Sequence, residues 1–323
     1  MTSTRESRTT MGGGESGTDS HGEQAPVWRH ATGTLALDRP RLLGVVNVTP
    51  DSFSDAGRLL TLDDARRHVE RLIAEGADVI DIGGESTRPQ GARAVDAEEE
   101  QRRVVPVVHA VRRDHPSIPI SVDTTKAAVA YASLEAGASI VNDVSAFRLD
   151  DAMPRVCAAT GAGVVLMHSR GDVATMATYA HATYGDDPVG EVIAELRAAV
   201  GGALSAGVAR DRIVLDPGIG FAKRSATSIA VLSELSRLVA LGYPVLVGAS
   251  RKRFIGEITG VAEPSERVGG TVGANVAALE RGARLFRVHD VKPSREALDV
   301  AWAIMRTARG GHAGAATVEG AAW

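Results

Sequence analysis

The chain has 323 residues, 44% of them apolar, and a formal net charge of −4 with both signs mixed along its length. This balance gives no reason to expect a nucleic-acid or membrane partner. The single cysteine, Cys157, excludes a disulfide framework and a cysteine-based metal site. Because no window approaches about 18 apolar residues and the N-terminus lacks the apolar core of a signal peptide, we predict a cytoplasmic protein.

The two ends of the chain differ in composition from the rest. Residues 1–27 are mostly Gly, Ser, Thr and charged residues, which bury too little apolar surface to order themselves. We therefore predict a disordered extension at 1–27, one domain at 28–308 and a flexible tail at 309–323. At the start of the domain, HATGTLALDRP predicts a short two-stranded lead-in.

Eight short apolar runs follow, and each is bounded by turn residues. Runs of this length predict strands that are buried on both faces, as in a parallel sheet. They lie at 43–48, 78–83, 119–124, 140–145, 164–168, 213–218, 245–250 and 285–290.

Helical stretches alternate with these runs. We place them near 61–75, 97–114, 125–136, 150–160, 188–206, 226–241, 265–281 and 293–308. Six of them end at a glycine, which suits the positive φ that commonly follows a helix: Gly76, Gly137, Gly161, Gly207, Gly242 and Gly282. Repeated strand–helix units predict an α/β fold, a single (β/α)8 TIM barrel, with the lead-in strands able to plug its lower end.

Each predicted strand ends in a polar side chain, and the C-terminal strand ends of such a barrel meet at one face. Carboxylates and amides there suit a flat heterocycle with several N–H donors, and arginine suits a phosphate. The candidates are Asn47, Asp81, Asp123, Asn142, Asp216, Ser250, Lys252, Arg287 and His289, with Thr87 and Arg88 in the loop after the second strand.

Metal and nucleophile motifs are sparse. No HxH or HExxH spacing occurs, which argues against a tight zinc site, and no G-x-S-x-G elbow predicts a covalent nucleophile. A Mg²⁺ ion shared with a pyrophosphate needs few protein ligands, since the phosphates supply the rest. The sequence is compatible with such an ion.

Eight ordered blocks carry a specific resemblance. They are NVTPDSFSD at 47–55, GGESTRP at 83–89, SVDTTK at 121–126, NDVS at 142–145, LMH at 166–168, DPGIGFAK at 216–223, GASRKRFIG at 248–256 and RVHDV at 287–291. With these blocks, the chain resembles the dihydropteroate synthases of the pterin-binding enzyme family from about Gly33 to Ala308. The resemblance implies that dihydropterin pyrophosphate reacts with p-aminobenzoate to give 7,8-dihydropteroate and pyrophosphate, as in folate biosynthesis.

The resemblance also implies roles for single residues. The catalytic group is Asp123, Lys252 and Arg287, and the pterin-binding group is Asp81, Asp123, Asn142, Asp216, Lys252 and Arg287. Pyrophosphate is expected at Asn47, Thr87, Arg88, Arg287 and His289. For p-aminobenzoate the expected contacts are Phe53, Thr87, Pro89, Phe221 and Ser250, the last with the helix that follows it. Asn47 is the expected protein ligand of Mg²⁺, and the family implies a homodimer and inhibition by sulfonamides.

Two alternatives stay open from the sequence. A methyltetrahydrofolate-dependent corrinoid methyltransferase of the same barrel family would share the pterin contacts, but it would not need the arginine and histidine of RVHDV. A non-catalytic pterin-binding paralogue is the second alternative, and retention of Asp123 and Lys252 weighs against it. One departure from the family pattern, an extra Gln90 in the second loop, bears on affinity for p-aminobenzoate and sulfonamides.

Overall fold

The computed structural model describes Met1 and residues 26–49, 61–86 and 95–309. Most of the predicted disordered extension and flexible tail lie outside these residues. So do five positions to which the sequence analysis gave a role or a departure: Phe53, Thr87, Arg88, Pro89 and Gln90.

Eight parallel strands form the predicted barrel, which confirms the fold class. The strands are β3 (Arg41–Asn47), β4 (Val79–Gly83), β5 (Ile120–Asp123), β6 (Ile140–Asp143), β7 (Gly163–Met167), β8 (Ile213–Asp216), β9 (Leu246–Val247) and β10 (Leu285–Val288). Neighbouring strands pair in the order β8-β7-β6-β5-β4-β3-β10-β9. A parallel bridge between Leu215 and Val245 joins the two ends of this order and closes the barrel.

The helices surround the barrel. They are α1 (Leu62–Ala74), α2 (Ala97–Asp114), α3 (Ala127–Glu135), α4 (Met153–Thr160), α5 (Pro188–Ser205), α6 (Ser225–Ser233), α7 (Leu235–Val239), α8 (Arg253–Thr259), α9 (Val268–Glu280) and α10 (Val291–Arg309). All six glycines predicted to end helices have positive φ. Among the described helices, none is both long and apolar enough to cross a membrane.

Three element predictions need correction. The predicted helix 226–241 is two helices, because Glu234 leaves helical geometry between α6 and α7 while the apolar pattern continues through it. No bounds were predicted for α8, the helix of seven residues that follows Ser250. The seventh strand was predicted to reach Ser250, but β9 ends at Val247, and Arg251 beyond it has a left-handed φ of 60°.

The predicted lead-in is an antiparallel hairpin of β1 (Val27–His30) and β2 (Gly33–Ala36). Its Trp28 is completely buried, and the indole Nε1–H donates to the carbonyl oxygen of Arg212 at 2.8 Å. Trp28, Leu35 and Leu37 form one apolar cluster with side chains from seven barrel positions: Leu43, Val79, Ile140, Val165, Val214, Leu246 and Leu285. The hairpin therefore closes the end of the barrel opposite the polar strand ends.

Replacement of Trp28 by alanine tests this plug. The change removes a fully buried indole from the cluster, and we expect a loss of about 3–5 kcal/mol in the free energy of unfolding. Val27→Ala is the matched control, since Val27 is the preceding residue and is 47% exposed; it should change stability by about 0.5 kcal/mol or less. Denaturant titration gives both values, and a similar small effect of the two changes would contradict the assignment of the plug.

Candidate active site

A cavity of about 650 Å³ opens at the C-terminal ends of the barrel strands. Nearly all described residues to which the sequence assigned a role line it: Asn47, Asp123, Asn142, Asp216, Phe221, Ser250, Lys252, Arg287 and His289. Asp81, from the middle of β4, is fully buried and lies against the Arg287 side chain instead. The polar side chains at the C-terminal ends of the strands therefore meet in one pocket.

The guanidinium group of Arg287 holds two carboxylates at the floor of the cavity. Its Nε donates to Asp81 Oδ2 at 2.6 Å, and its Nη2 donates to Asp123 Oδ2 at 2.7 Å. Asn142 Nδ2 lies 3.5 Å from the same Asp81 oxygen. Since the planar guanidinium presents several donors in fixed directions, one side chain ties the strands β4, β5 and β10 together.

Burial shifts the proton equilibria of the pocket. It raises the pKa of Asp123, and the Arg287 charge opposes that shift. Burial raises the pKa of Asp216 to about 6 and lowers the pKa of Lys252 to about 8. Burial thus weakens the solvent screening of these charges, which strengthens their interactions with a ligand.

The end of β8 and the loop after it present a carboxylate and an aromatic wall. Asp216 Oδ1 accepts the Gly218 N–H at 2.7 Å, and its Oδ2 faces the space beside Gly248, where a Cβ would stand 3.8 Å away. Lys252 Nζ lies 3.9 Å from the centroid of the Phe221 ring, a cation–π distance. Gly248 thereby leaves room beside Asp216 for a flat ring.

Two contacts join the ends of β9 and β10. Ser250 Oγ lies 3.0 Å from His289 Nδ1 and accepts the His289 N–H at 3.2 Å. Arg251 makes two hydrogen bonds to Asp290, of 2.9 and 2.6 Å. Arg251 and Asp290 received no role from the sequence, although they lie in the GASRKRFIG and RVHDV blocks, beside residues that did.

Lys223 and His168 form a further buried contact beside the pocket, and the sequence gave neither residue a role. Lys223 is 1% exposed, and its Nζ lies 2.7 Å from His168 Nδ1. His168, the last residue of the LMH block, also has its Nε2 3.0 Å from Glu195 Oε2. A lysine inside a block of glycines and apolar residues is the sequence signal that could have drawn attention to this group.

The described residues of the cavity offer few ligands for the expected Mg²⁺ ion. The described ranges contain no group of three or more His, Cys, Asp or Glu residues able to hold a metal ion. Asn47, at the end of β3, offers a neutral amide oxygen to the cavity. One such donor fits an ion that takes most of its ligands from phosphate and water.

The chain is similar to known proteins that bind pterins. Residues 43–289 match the sequence profile described as pterin binding enzyme. A dihydropteroate synthase of Synechocystis sp. is 43% identical over 268 residues, which cover 83% of this chain and 91% of the relative. These matches span the whole barrel.

Two solved structures are also similar. The dihydropteroate synthase of Xanthomonas albilineans with 4-aminobenzoic acid superposes with a TM-score of 0.81 at 46% identity, covering 87% of this chain and 98% of that chain. The Yersinia pestis enzyme with a sulfonamide drug complex gives a TM-score of 0.80 at 41% identity, covering 87% and 99%. The profile, the relative and the two structures agree with the pocket: the chain belongs to the pterin-binding enzyme family, as one of its dihydropteroate synthases.

Proposed function

We propose that the cavity condenses 6-hydroxymethyl-7,8-dihydropterin pyrophosphate with p-aminobenzoate, giving 7,8-dihydropteroate and pyrophosphate for folate biosynthesis. The observation that carries this assignment is the buried arrangement of Arg287 between Asp81 and Asp123, beside Asn142 and Asp216. It offers acceptors for the N–H groups of a pterin and a cation for its pyrophosphate in one pocket. The reaction makes the chain a transferase.

The pterin edge is assigned to Asp216 and Asn142. Asp216 Oδ2 faces the space that Gly248 leaves open, while Oδ1 is already held by the Gly218 N–H. A buried carboxylate that accepts ring N–H groups selects strongly against rings that lack them, because its oxygen would then stay unpaired. Lys252 donates to ring acceptors from the Phe221 side.

The reaction breaks the bond between the pterin methylene carbon and the pyrophosphate oxygen, and positive charge develops on the pterin. The carboxylate of Asp123 stabilises that charge from the floor of the cavity, and Arg287 holds the carboxylate in place. The amine of p-aminobenzoate then attacks the methylene carbon and loses a proton. Positioning and charge stabilisation therefore contribute most of the acceleration.

The pyrophosphate is assigned to Arg287 and His289, with Thr87 and Arg88 from the loop outside the described residues. Asn47 would hold Mg²⁺, which supplies positive charge to the leaving pyrophosphate when it is bound. Its single amide oxygen fits an ion that enters with the pyrophosphate.

The p-aminobenzoate site is assigned to Phe221 and Ser250, with Phe53, Thr87 and Pro89 outside the described residues. If His289 donates from both its backbone N–H and its Nδ1–H to Ser250 Oγ, the serine hydroxyl is free to donate to the substrate carboxylate. The predicted helix end contributes little, because α8 is so short. Sulfonamides should compete at this site, as the sulfonamide complex of the Yersinia pestis enzyme suggests.

Assembly into a homodimer is part of the same proposal. On α10, Val300 and Ile304 lie one turn apart and are 62% and 65% exposed. Apolar side chains at this spacing share one helix face, and a second copy of the chain would cover them. A cytoplasmic location stays a prediction.

Asp123→Asn tests the assignment of the transition-state carboxylate. The change keeps the shape of the side chain but removes its charge, so kcat should fall at least about 100-fold while the fold stays intact. Chromatographic measurement of dihydropteroate gives the rate, and circular dichroism checks the fold. Asp151→Asn, at an exposed position, is the control; a near-wild-type rate for Asp123→Asn would remove Asp123 from the mechanism.

Arg287→Ala tests the pyrophosphate assignment. Loss of the guanidinium removes the partner of the buried Asp81 and the partly buried Asp123 and takes a cation from the phosphate site, so affinity for the pterin pyrophosphate should fall by about 100-fold or more. Affinity for p-aminobenzoate should fall much less. Arg287→Lys, which keeps the charge without the planar donor geometry, should lie between. Calorimetric titration measures both ligands, and equal losses would count against the assigned roles.

A further inference from the structure

The ammonium group of Lys223 lies inside the protein with three acceptors around it. Its Nζ is 2.7 Å from His168 Nδ1 and 3.1 Å from each of the carbonyl oxygens of Gly218 and Phe221. An ammonium group has three N–H donors, whereas a neutral amine has two. Only the protonated form can therefore satisfy all three acceptors.

His168 links this lysine to a carboxylate near the surface. Its Nε2 lies 3.0 Å from Glu195 Oε2, and hydrogen bonding to His168 and Arg170 lowers the pKa of Glu195 to about 2. An ionised carboxylate can only accept, so His168 Nε2 must carry a proton. Burial, with the nearby Lys223 charge, lowers the pKa of His168 to about 4, which leaves the imidazole neutral and its Nδ1 an acceptor.

The ionised carboxylate of Glu195 determines which atom donates in each hydrogen bond between Glu195, His168 and Lys223. Its charge fixes the Nε2–H tautomer of His168, that tautomer makes Nδ1 an acceptor, and the acceptor requires the third donor of Lys223. Arg170 holds the carboxylate from the outside, with Nε at 3.0 Å and Nη2 at 2.5 Å from Oε1. We call these three residues, Lys223, His168 and Glu195, the lysine relay.

The relay holds the turn that forms one side of the p-aminobenzoate site. Lys223 bonds the carbonyls at both ends of the segment from Gly218 to Phe221. A Cβ on Gly218 would collide with the backbone carbonyl oxygen of His168, and the His168 N–H donates to the Asp216 carbonyl oxygen at 2.9 Å. The position of the Phe221 ring thus depends on the contacts that Lys223 and His168 make with this turn.

We propose that Lys223 is a positioning residue, kept protonated by His168 and Glu195, which fixes the Gly218–Phe221 turn and thereby the binding of p-aminobenzoate. The inference rests on the proposed function, because it concerns the second substrate of that reaction. Lys223 does not need to touch either substrate. It acts through the turn.

Several neighbouring charges set the pH at which the Lys223 ammonium group loses a proton. Burial lowers the pKa of Lys223 to about 7; Asp216 and Glu195 oppose this shift, while Arg170 and Lys252 add to it. The ammonium form exists below that pKa and is lost as pH rises through it. The KM for p-aminobenzoate should therefore rise above a pH of about 7 in the wild-type protein.

Glu195→Gln tests the relay. The glutamine removes a charge that raises the pKa of Lys223, and its amide can donate to His168 Nε2, which allows the other tautomer. The rise in KM should then begin at lower pH, and near pH 7 the KM for p-aminobenzoate should be about tenfold above wild type, the effect of one hydrogen bond to a charged group. The KM for the pterin pyrophosphate and kcat should change much less.

Glu191→Gln is the matched control. Glu191 lies one turn earlier on α5 and also bonds Arg170, at 2.7 Å, but its other partner is the Gly185 N–H, where Glu195 has His168. The two side chains are similarly exposed, 37% for Glu191 and 43% for Glu195. The control should follow the wild-type pH profile. If both variants gave the same profile, the relay would have no role in positioning.

Two further measurements separate the relay from a general structural effect. In protein labelled with ¹⁵N-histidine, the His168 resonances, assigned by their loss in His168→Gln, should show a protonated Nε2 and an unprotonated Nδ1; the opposite tautomer would overturn the inference. In a Lys223→Met background, Glu195→Gln should have no further effect on KM, and an undiminished effect would contradict the role of Lys223. Wild-type protein that forms no dihydropteroate would instead refute the proposed function, while the tautomer measurement would still stand.

Discussion

The site depends on one charged group that is shared between two carboxylates, one fully buried and one partly buried. Removing an ion from water is costly unless it is paired and hydrogen-bonded, and Arg287 meets both requirements for Asp81 and Asp123. The same guanidinium lies where a pyrophosphate has to bind. Structural pairing and ligand binding therefore use one side chain, and the carboxylate of Asp123 is held ready before the substrate enters.

The barrel makes this arrangement possible because one end is filled by an apolar plug and the other carries the polar residues of the site. The hairpin with Trp28 fills the lower end with apolar side chains that pack against the first residues of the parallel strands. At the upper end the strand termini bring residues that are far apart in the sequence into one pocket: Arg287 lies 206 residues from Asp81 and 164 from Asp123. Stability and chemistry are thereby separated along the barrel axis.

Much of this could be predicted from the sequence, for reasons that are local. Short apolar runs and terminal glycines predicted the strands and helix ends, and the polar residue at each strand end predicted Asn142, Asp216 and Arg287 as neighbours. The break at Glu234 and the early end of β9 could not be predicted, since the apolar pattern continues through the first and the second depends on the backbone at Arg251. The lysine relay was missed for another reason: its contacts join residues 55 and 27 positions apart, and neither spacing belongs to a local motif.

The most direct test of the account is the release of pyrophosphate from dihydropterin pyrophosphate in the presence of Mg²⁺, followed with and without p-aminobenzoate in a coupled assay. The account predicts release that depends on p-aminobenzoate and matches the dihydropteroate formed. Tight binding of the pterin with no release in either condition would contradict it, and would mean that the pocket binds a pterin without transferring it.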